Sequence, residues 1–242
     1  MKKPAPLFYS SRILGRLLLQ LILNVKIEGL QNIPKNKQYI LICNHVNWTD
    51  PFLILGFFPP SPRIVFLSDY DAIYDSNFKK KFVDLHGKPL VFIDRWHKGS
   101  RVVALKSMYQ VVRNQDILAM FPEGRIEHQD GELFPFYVGV FSVAKKLNVP
   151  ILPMVITGNH ILSFRKPVHV RIGQLTHCKT DESGEDYAKR IAKMMHQLMP
   201  SYPGDGPFPN CCNWLTHLFQ GELRPFKGKK TLIIPTRREK RK

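Results

Sequence analysis

The sequence is poor in cysteine, and its four cysteines form no pattern of paired spacings. No two of them stand with histidines at the distances of a metal site, so we expect reduced thiols, no bound metal and no metal cofactor. Zinc-finger spacing, a basic zipper and an RNA-binding aromatic signature are absent as well. We therefore expect no nucleic-acid partner.

Acidic residues are also scarce, since 19 Asp and Glu residues stand against 36 Lys and Arg residues. The formal charge of +17 attracts polyanions, which include nucleic acids, anionic lipid headgroups and phosphorylated substrates. Charge alone does not choose among them. Because nucleic-acid signatures are absent, a membrane surface is favoured over nucleic acid, and a phosphorylated substrate stays open.

The apolar stretch Ile13–Val25 is too short to span a bilayer, which needs about 20 residues. It follows a basic N-terminus but has no small-residue cleavage site, so we expect it to be retained. Its polar residues recur at every fourth position and would form a narrow ribbon opposite a leucine face on a helix. These residues are Arg12, Arg16, Gln20 and Asn24. Such a helix lies in a membrane interface or packs on the domain's own core, and the pattern leaves both open.

From Gln38 onward, short apolar runs alternate with helical patterns, which is typical of a mostly parallel α/β sheet flanked by helices. Strands are predicted at Tyr39–Cys43, Arg63–Leu67, Leu90–Ile93, Ile117–Phe121, Ile151–Ile156 and Val168–Ile172. Helices are predicted at Pro51–Phe58, Ser76–Val83, Arg101–Arg113 with Ser100 as cap, Val138–Leu147 and Asp186–Leu198. We predict an N-terminal membrane-interfacial segment over residues 1–30, an α/β domain over 31–200 and a basic tail over 201–242.

The stretch Cys43–Pro51 leaves the first predicted strand and enters the first predicted helix, with Thr49 or Asp50 as N-cap. Ligand sites of open α/β sheets lie at such carboxyl ends of strands. A carboxylate at Asp50 would fix the tautomer of His45 and stabilise its imidazolium form. In the alternative interpretation, Asp50 only caps the helix and His45 only forms a hydrogen bond in a turn.

Two further predicted strands end in charged residues. If these strands are parallel, a histidine, three carboxylates and two arginines lie at the same edge of the sheet. They are His45, Asp50, Asp94, Arg95, Glu123 and Arg125. Two guanidinium groups beside a histidine–carboxylate pair describe a site that holds a phosphate while a base removes a proton nearby. Taken singly, each arginine is more often explained by a surface ion pair.

Four stretches of the chain resemble, in the right order, the four motifs of the glycerolipid acyltransferases, the 1-acylglycerol-3-phosphate acyltransferase family. They are Asn44–Asp50, Phe92–Arg95, Phe121–Arg125 and Val149–Val155. Four ordered motifs are far more specific than any one alone. The resemblance covers roughly Tyr39 to Gly173.

The resemblance implies that His45 is a general base oriented by Asp50, and that Arg95 binds the acceptor's phosphate. It also implies that Glu123, Gly124 and Arg125 shape the acceptor site, with Asp94 among the substrate-binding residues. The acyl donor would be an acyl-CoA or acyl-carrier-protein thioester, and the acceptor a lysophospholipid hydroxyl. No cofactor other than this thioester co-substrate is implied. The protein is expected to associate with membrane lipids on the cytoplasmic face.

One departure concerns the stretch Phe134–Gly139, where relatives carry one or two lysines before the glycine, so a lysophospholipid other than lysophosphatidate is left open as the acceptor. Two alternative functions also remain. One is a catalytically inactive, basic peripheral-membrane protein on the same scaffold. The other is a metal-dependent hydrolase using His45, Asp50 and Asp94, for which a second histidine at ligand spacing is missing.

Overall fold

The computed structural model describes residues 6–35, 37–59, 62–69, 73, 77–85, 90–94, 99–126, 132–201 and 203–217. Its α-helices are α1 (Pro6–Ile22), α2 (Asp50–Phe57), α3 (Asn77–Leu85), α4 (Ser100–Arg113), α5 (Gly139–Leu147) and α6 (Gly184–Leu198). Its strands are β1 (Leu23–Glu28), β2 (Ile40–Cys43), β3 (Ile64–Asp69), β4 (Leu90–Ile93), β5 (Ile117–Met120), β6 (Ile151–Thr157) and β7 (Lys166–Ile172). Short 3-10 helices cover Leu30–Asn32 and Asn213–His217.

These strands form one sheet in the order β1-β7-β6-β2-β5-β3-β4. The five neighbouring strands from β6 to β4 are parallel. Strand β7 is antiparallel to β6, and β1 is parallel to β7. The mostly parallel α/β sheet predicted from the sequence is therefore confirmed.

Strands β2 and β6 are buried along their whole length, as expected for parallel strands covered by helices on both faces. Because side chains alternate between the faces, Ile40 and Ile42 join a core with α4, α5 and α6. Leu41 and Cys43 join a second core with α2 and the inner side of α1. Both faces of the sheet are thus filled, and the loops at its carboxyl edge are left to carry polar groups.

Strand β1 is the largest difference between the predicted and the observed elements. The helix expected to reach Val25 ends at Ile22, and the next six residues pair in parallel with β7. Asn24 therefore lies in a strand, and the prediction that it continues the polar ribbon of the helix was wrong. Residues of β1 alternate between more buried and exposed positions, a period of two that the preceding leucine-rich helix obscured.

Helix α1 packs against α2 through its polar side. Arg12 Nε donates to the Leu55 carbonyl oxygen at 2.6 Å, and the Arg16 guanidinium lies 5.1 Å from the centre of the Phe57 ring. The apolar side of α1 is exposed; this leucine face consists of Ile13, Leu14, Leu17, Leu18 and Leu21. Of the helices in the described part of the chain, none is both long and apolar enough to cross a membrane.

Helix α4 begins at Ser100, but Ser100 is not its cap. The N-cap is Gly99, which adopts a left-handed conformation with φ of 94°. The Ser100 hydroxyl oxygen instead accepts the backbone N–H of Asp94 at 2.6 Å. The predicted cap was therefore wrong, because the end of β4 binds the hydroxyl that would have capped the helix.

The segment 203–217 is attached to the domain near α2. Trp48 Nε1 donates to the Leu215 carbonyl oxygen at 2.9 Å, and the Thr216 hydroxyl oxygen accepts the backbone N–H of Leu162 at 2.8 Å. The strongly basic run Arg224–Lys242 lies outside the described residues. The domain boundaries given above stay predictions.

Candidate active site

The loop between β2 and α2 brings His45 and Asp50 into contact, with His45 Nδ1 and Asp50 Oδ2 2.7 Å apart. Thr49 occupies the N-cap position of α2, but its side chain makes no capping hydrogen bond. Asp50 begins the helix and turns its carboxylate back into the loop. Asp50 therefore contacts the imidazole rather than the first turn of the helix.

The Asp50 carboxylate is buried and surrounded by N–H donors. Oδ2 also accepts the backbone N–H groups of Val46 at 2.8 Å and of Asn47 at 3.0 Å. Oδ1 accepts a hydrogen bond from Asn159 Nδ2. An ionised carboxylate offers only acceptor sites, so these donors engage both oxygens and hold the group in one orientation.

The imidazole of His45 is stacked on Phe121, with ring centroids 4.0 Å apart and ring planes inclined by 16°. Phe66 stacks on Phe121 in turn, at 6.2 Å. The His45 side chain is 17% exposed whereas that of Asp50 is 0% exposed, so the imidazole is the member of the pair that an incoming molecule reaches. Because Nδ1 is bound to Asp50, Nε2 is the nitrogen available for chemistry.

Glu123 is buried beneath the same loop. Its Oε1 accepts the backbone N–H of His45 at 3.1 Å, and its Oε2 accepts the backbone N–H of Phe134 at 3.1 Å. The carboxylate thus joins the His45 loop to the segment that precedes α5. The part of Glu123 in acceptor binding stays a prediction.

Gly124 and Arg125 follow Glu123 at the end of β5. Gly124 has φ of 72°, and a Cβ atom there would lie 2.5 Å from the Tyr137 ring, so the position requires glycine for two independent reasons. Arg125 is exposed, and its guanidinium lies 5.8 Å from the centre of the Phe134 ring. Arg125 is therefore placed near the segment that Glu123 fastens to the His45 loop.

Asp94 lies at the same edge of the sheet but farther from His45. Strand β4 is three strands away from β2, which at about 4.8 Å per strand places their ends about 14 Å apart. The structure thus brings His45, Asp50 and Glu123 together directly and leaves Asp94 at a distance. Arg95 is not among the described residues, so its contact with a phosphate stays a prediction.

Cys43, next to this loop, does not supply a nucleophile. Burial raises the pKa of its thiol well above the ordinary value, and the negative charges of Asp50 and Glu123 raise the pKa further. The reactive form of cysteine is the thiolate. Cys43 therefore stays a neutral, apolar side chain of the core.

Three supporting side chains received no role in the sequence analysis. The Asn44 side chain both donates to the carbonyl oxygen and accepts from the N–H of Ile156, each at 2.8 Å, which fastens the end of β2 to β6. Phe121 supports the imidazole, and Asn159 contacts Asp50. Asn44 and Phe121 lie inside quoted motifs, whereas Asn159 follows a glycine in a simple turn pattern. Its partner is 109 residues away, so no local signal could have found it.

The arrangement is suited to general-base chemistry. A carboxylate on Nδ1 holds the neutral imidazole in the tautomer whose Nε2 accepts a proton, and it stabilises the imidazolium that results. The aromatic ring stacked on the imidazole stabilises the same cation. These contacts would suit a general base, and they lie at the carboxyl edge of a parallel sheet, where α/β proteins bind ligands.

Comparison with known proteins finds relatives of this chain among the acyltransferases. The chain is 29% identical over 194 residues to a coconut 1-acyl-sn-glycerol-3-phosphate acyltransferase, which covers 77% of this chain and 60% of the relative. It is 32% identical over 146 residues to the 1-acyl-sn-glycerol-3-phosphate acyltransferase of Saccharomyces cerevisiae, covering 60% and 46% of the two chains. The chain thus spans about half to two thirds of the length of such relatives.

The fold has a solved counterpart in the 1-acyl-sn-glycerophosphate acyltransferase PlsC from Thermotoga maritima. The TM-score is 0.64 at 23% identity, and the match covers 78% of this chain and 77% of that one. The family model described as Acyltransferase matches residues 24–157, which run from β1 to the end of β6 and contain the His45 loop. Because this match covers more than half of the chain and agrees with the four ordered motifs, the protein belongs to the acyltransferase family.

Proposed function

We propose that this protein transfers an acyl group from an acyl-CoA or acyl-carrier-protein thioester to the hydroxyl of a lysophospholipid, with 1-acylglycerol-3-phosphate or a related lipid as acceptor. The observation that carries the proposal is the 2.7 Å contact between His45 Nδ1 and the buried Asp50 Oδ2. It lies inside the segment that matches the family model. The named relatives support the choice of acceptor.

In the proposed reaction, His45 Nε2 removes the proton of the acceptor hydroxyl as the oxygen attacks the thioester carbonyl carbon. A C–O bond forms, and the C–S bond then breaks with the electron pair leaving on sulfur. A hydroxyl needs a base to become nucleophilic, whereas a thiolate leaves without a strong acid. Asp50 stabilises the imidazolium during attack, so one histidine–carboxylate pair suffices and no covalent enzyme intermediate is required.

Arginines that follow β4 and β5 in the sequence support a phosphorylated acceptor. Arg125 is exposed at the end of β5, and the sequence places Arg95 after β4. A guanidinium presents a planar pair of donors to two phosphate oxygens. Since the stretch Phe134–Gly139 contains no lysine, these arginines are the phosphate-binding groups in the proposal.

The exposed leucine face of α1 supports attachment to a membrane, on the cytoplasmic face in our proposal. In a water-exposed helix the apolar side would face the domain, but here the arginines face α2 and the leucines face outward. Lipid would cover this face without the helix crossing the bilayer. The charge of +17 adds attraction to anionic headgroups.

A catalytically inactive lipid-binding protein is the competing function. Such a protein would not need a buried carboxylate whose oxygens are engaged by N–H donors and directed at an accessible imidazole. The arrangement around His45 and Asp50 therefore supports catalysis over binding alone.

The proposal is tested with the purified protein, a panel of lysophospholipids, and an acyl-CoA or acyl-carrier-protein thioester as donor, with products identified by mass spectrometry. His45→Ala should abolish transfer, because no base then accepts the hydroxyl proton. His196→Ala is the matched control, since His196 is an exposed histidine on α6. Substantial turnover by His45→Ala would refute the general-base assignment. If the wild-type protein forms no product with any acceptor, the proposed activity is refuted.

A further inference from the structure

Asn159 lies just beyond β6, and its side chain reaches the carboxylate of Asp50. It is 0% exposed, and Nδ2 donates to Asp50 Oδ1. Its own carbonyl oxygen, Oδ1, is buried without a hydrogen-bond partner among the described residues. Leaving a buried amide oxygen unsatisfied is unfavourable. A side chain kept only to stabilise the turn would be expected to satisfy both ends of its amide.

The chemistry of the contact assigns the orientation of the amide. An ionised carboxylate only accepts hydrogen bonds, so the NH₂ group of Asn159 must face Asp50 and its oxygen must face away. On the other side of the carboxylate, Oδ2 receives His45 Nδ1 and the backbone N–H groups of the loop. Asn159 is therefore the side chain that engages the oxygen not bound to the imidazole.

The position of Asn159 relative to Asp50 is held by the sheet. Asn44 makes two hydrogen bonds to the backbone of Ile156, three residues before Asn159, and this ties the start of the His45 loop to β6. Gly158 has φ of 94°, and a Cβ atom there would lie 2.2 Å from the Pro167 carbonyl oxygen. The turn that presents Asn159 is thus packed closely against β7.

We propose that Asn159 is a positioning residue for the transfer reaction. Its amide N–H holds Asp50 Oδ1 and thereby keeps Oδ2 directed at His45 Nδ1. This inference rests on the proposed function of the His45–Asp50 pair. Asn159 is fully buried and its amide N–H contacts Asp50, so its loss should act on turnover through Asp50 and leave substrate binding unchanged.

The test is a double-mutant cycle measured with the purified protein on its best acceptor from the panel above. Asn159→Leu removes the donor at similar size, and Asp50→Asn removes the group through which it acts. Asn159→Leu should lower kcat roughly tenfold to a hundredfold, the size of a lost charge-assisted hydrogen bond. The KM of donor and acceptor should change less than about twofold. In the Asp50→Asn protein, Asn159→Leu should lower kcat by less than about threefold, since coupled residues are not additive.

Thermal unfolding and a control variant separate positioning from a structural role. Asn114→Leu is the control, because Asn114 is an exposed asparagine at the end of α4. If Asn159→Leu does not fold, Asn159→Ser enters the same cycle, because its shorter hydroxyl does not span the distance to Asp50. The positioning role is overturned if a folded Asn159 variant keeps the wild-type kcat. It is also overturned if replacing Asn159 lowers kcat by the same factor in the wild-type and in the Asp50→Asn protein. If Asp50→Asn alone keeps wild-type turnover, the proposed His45–Asp50 mechanism itself fails.

Discussion

Replacing Leu17, Leu18 and Leu21 by glutamine tests whether the leucine face of α1 contacts lipid. Glutamine is uncharged like leucine, is similar in size and is a good helix former. The three leucines lie on the exposed side of α1, away from α2. The substitutions should therefore leave the fold intact and remove only the apolar surface offered to a membrane.

The expected magnitude follows from the exposure of these side chains, which is 58%, 49% and 63%. Complete burial of a leucine side chain contributes about 1.5–3 kcal/mol. With about half of each side chain still to be covered, each contributes about 1 kcal/mol and the three together about 3 kcal/mol. Since about 1.4 kcal/mol corresponds to a tenfold change in a dissociation constant, the affinity for vesicles should fall roughly a hundredfold.

The assay is flotation with phosphatidylcholine vesicles, which carry no net charge and so isolate the apolar contribution from that of the basic surface. Leu19→Gln is the matched control on the same helix, because Leu19 is partly buried against the domain core. It should lower the melting temperature and change vesicle binding little. The reasoning is refuted if the triple variant floats as the wild type does while its melting temperature falls, because the leucines would then be buried in the protein.

Three further predictions concern the acceptor site and stability. Arg95→Lys should raise the KM of a phosphorylated acceptor and not that of the donor, since lysine lacks the planar pair of donors; equal effects on both would show a structural role. Gly124→Ala should lower the melting temperature, because Cβ would meet the Tyr137 ring at a positive φ; an unchanged value would contradict this. The hydrogen bond from Arg190 lowers the pKa of Glu182 from 4.5 to about 2. The stability advantage of the wild type over Glu182→Gln should thus be full above about pH 4.5 and disappear towards about pH 2; thermal unfolding at a series of pH values measures this.

The parallel part of the sheet was predictable because each strand is a short apolar run that no helical period explains. Strand Leu90–Ile93 was predicted with its observed bounds, and β2, β5 and β6 within one residue at each end. Strand β1 was missed because its alternating pattern directly follows the leucine-rich helix, without a glycine or proline between them. Its pairing partner, β7, lies more than a hundred residues later, so local sequence could not show the pairing.

The pairing of His45 with Asp50 was predictable because five residues in one loop can fold back on each other. The neighbours of the pair were not, since they come from strands that meet only in the sheet. Glu123 was expected at an acceptor and binds the backbone of His45 and Phe134. The sequence of a motif does not show whether the partners of its carboxylate are ligand atoms or backbone N–H groups.

The orientation of α1 on the domain could not be predicted from the sequence either. Periodicity assigns Arg12 and Arg16 to one side of a helix, but it does not say which side faces the protein. Both arginines lie against the end of α2, where the last backbone carbonyls of a helix lack helical partners. Arg12 donates to the carbonyl oxygens of Leu55 and Phe58, and the exposed Arg16 lies over the Phe57 ring. The negative end of the α2 dipole favours the same cationic group. With the polar side of α1 packed on α2, its leucine face stays exposed on the described domain, which is why we propose that lipid covers this face.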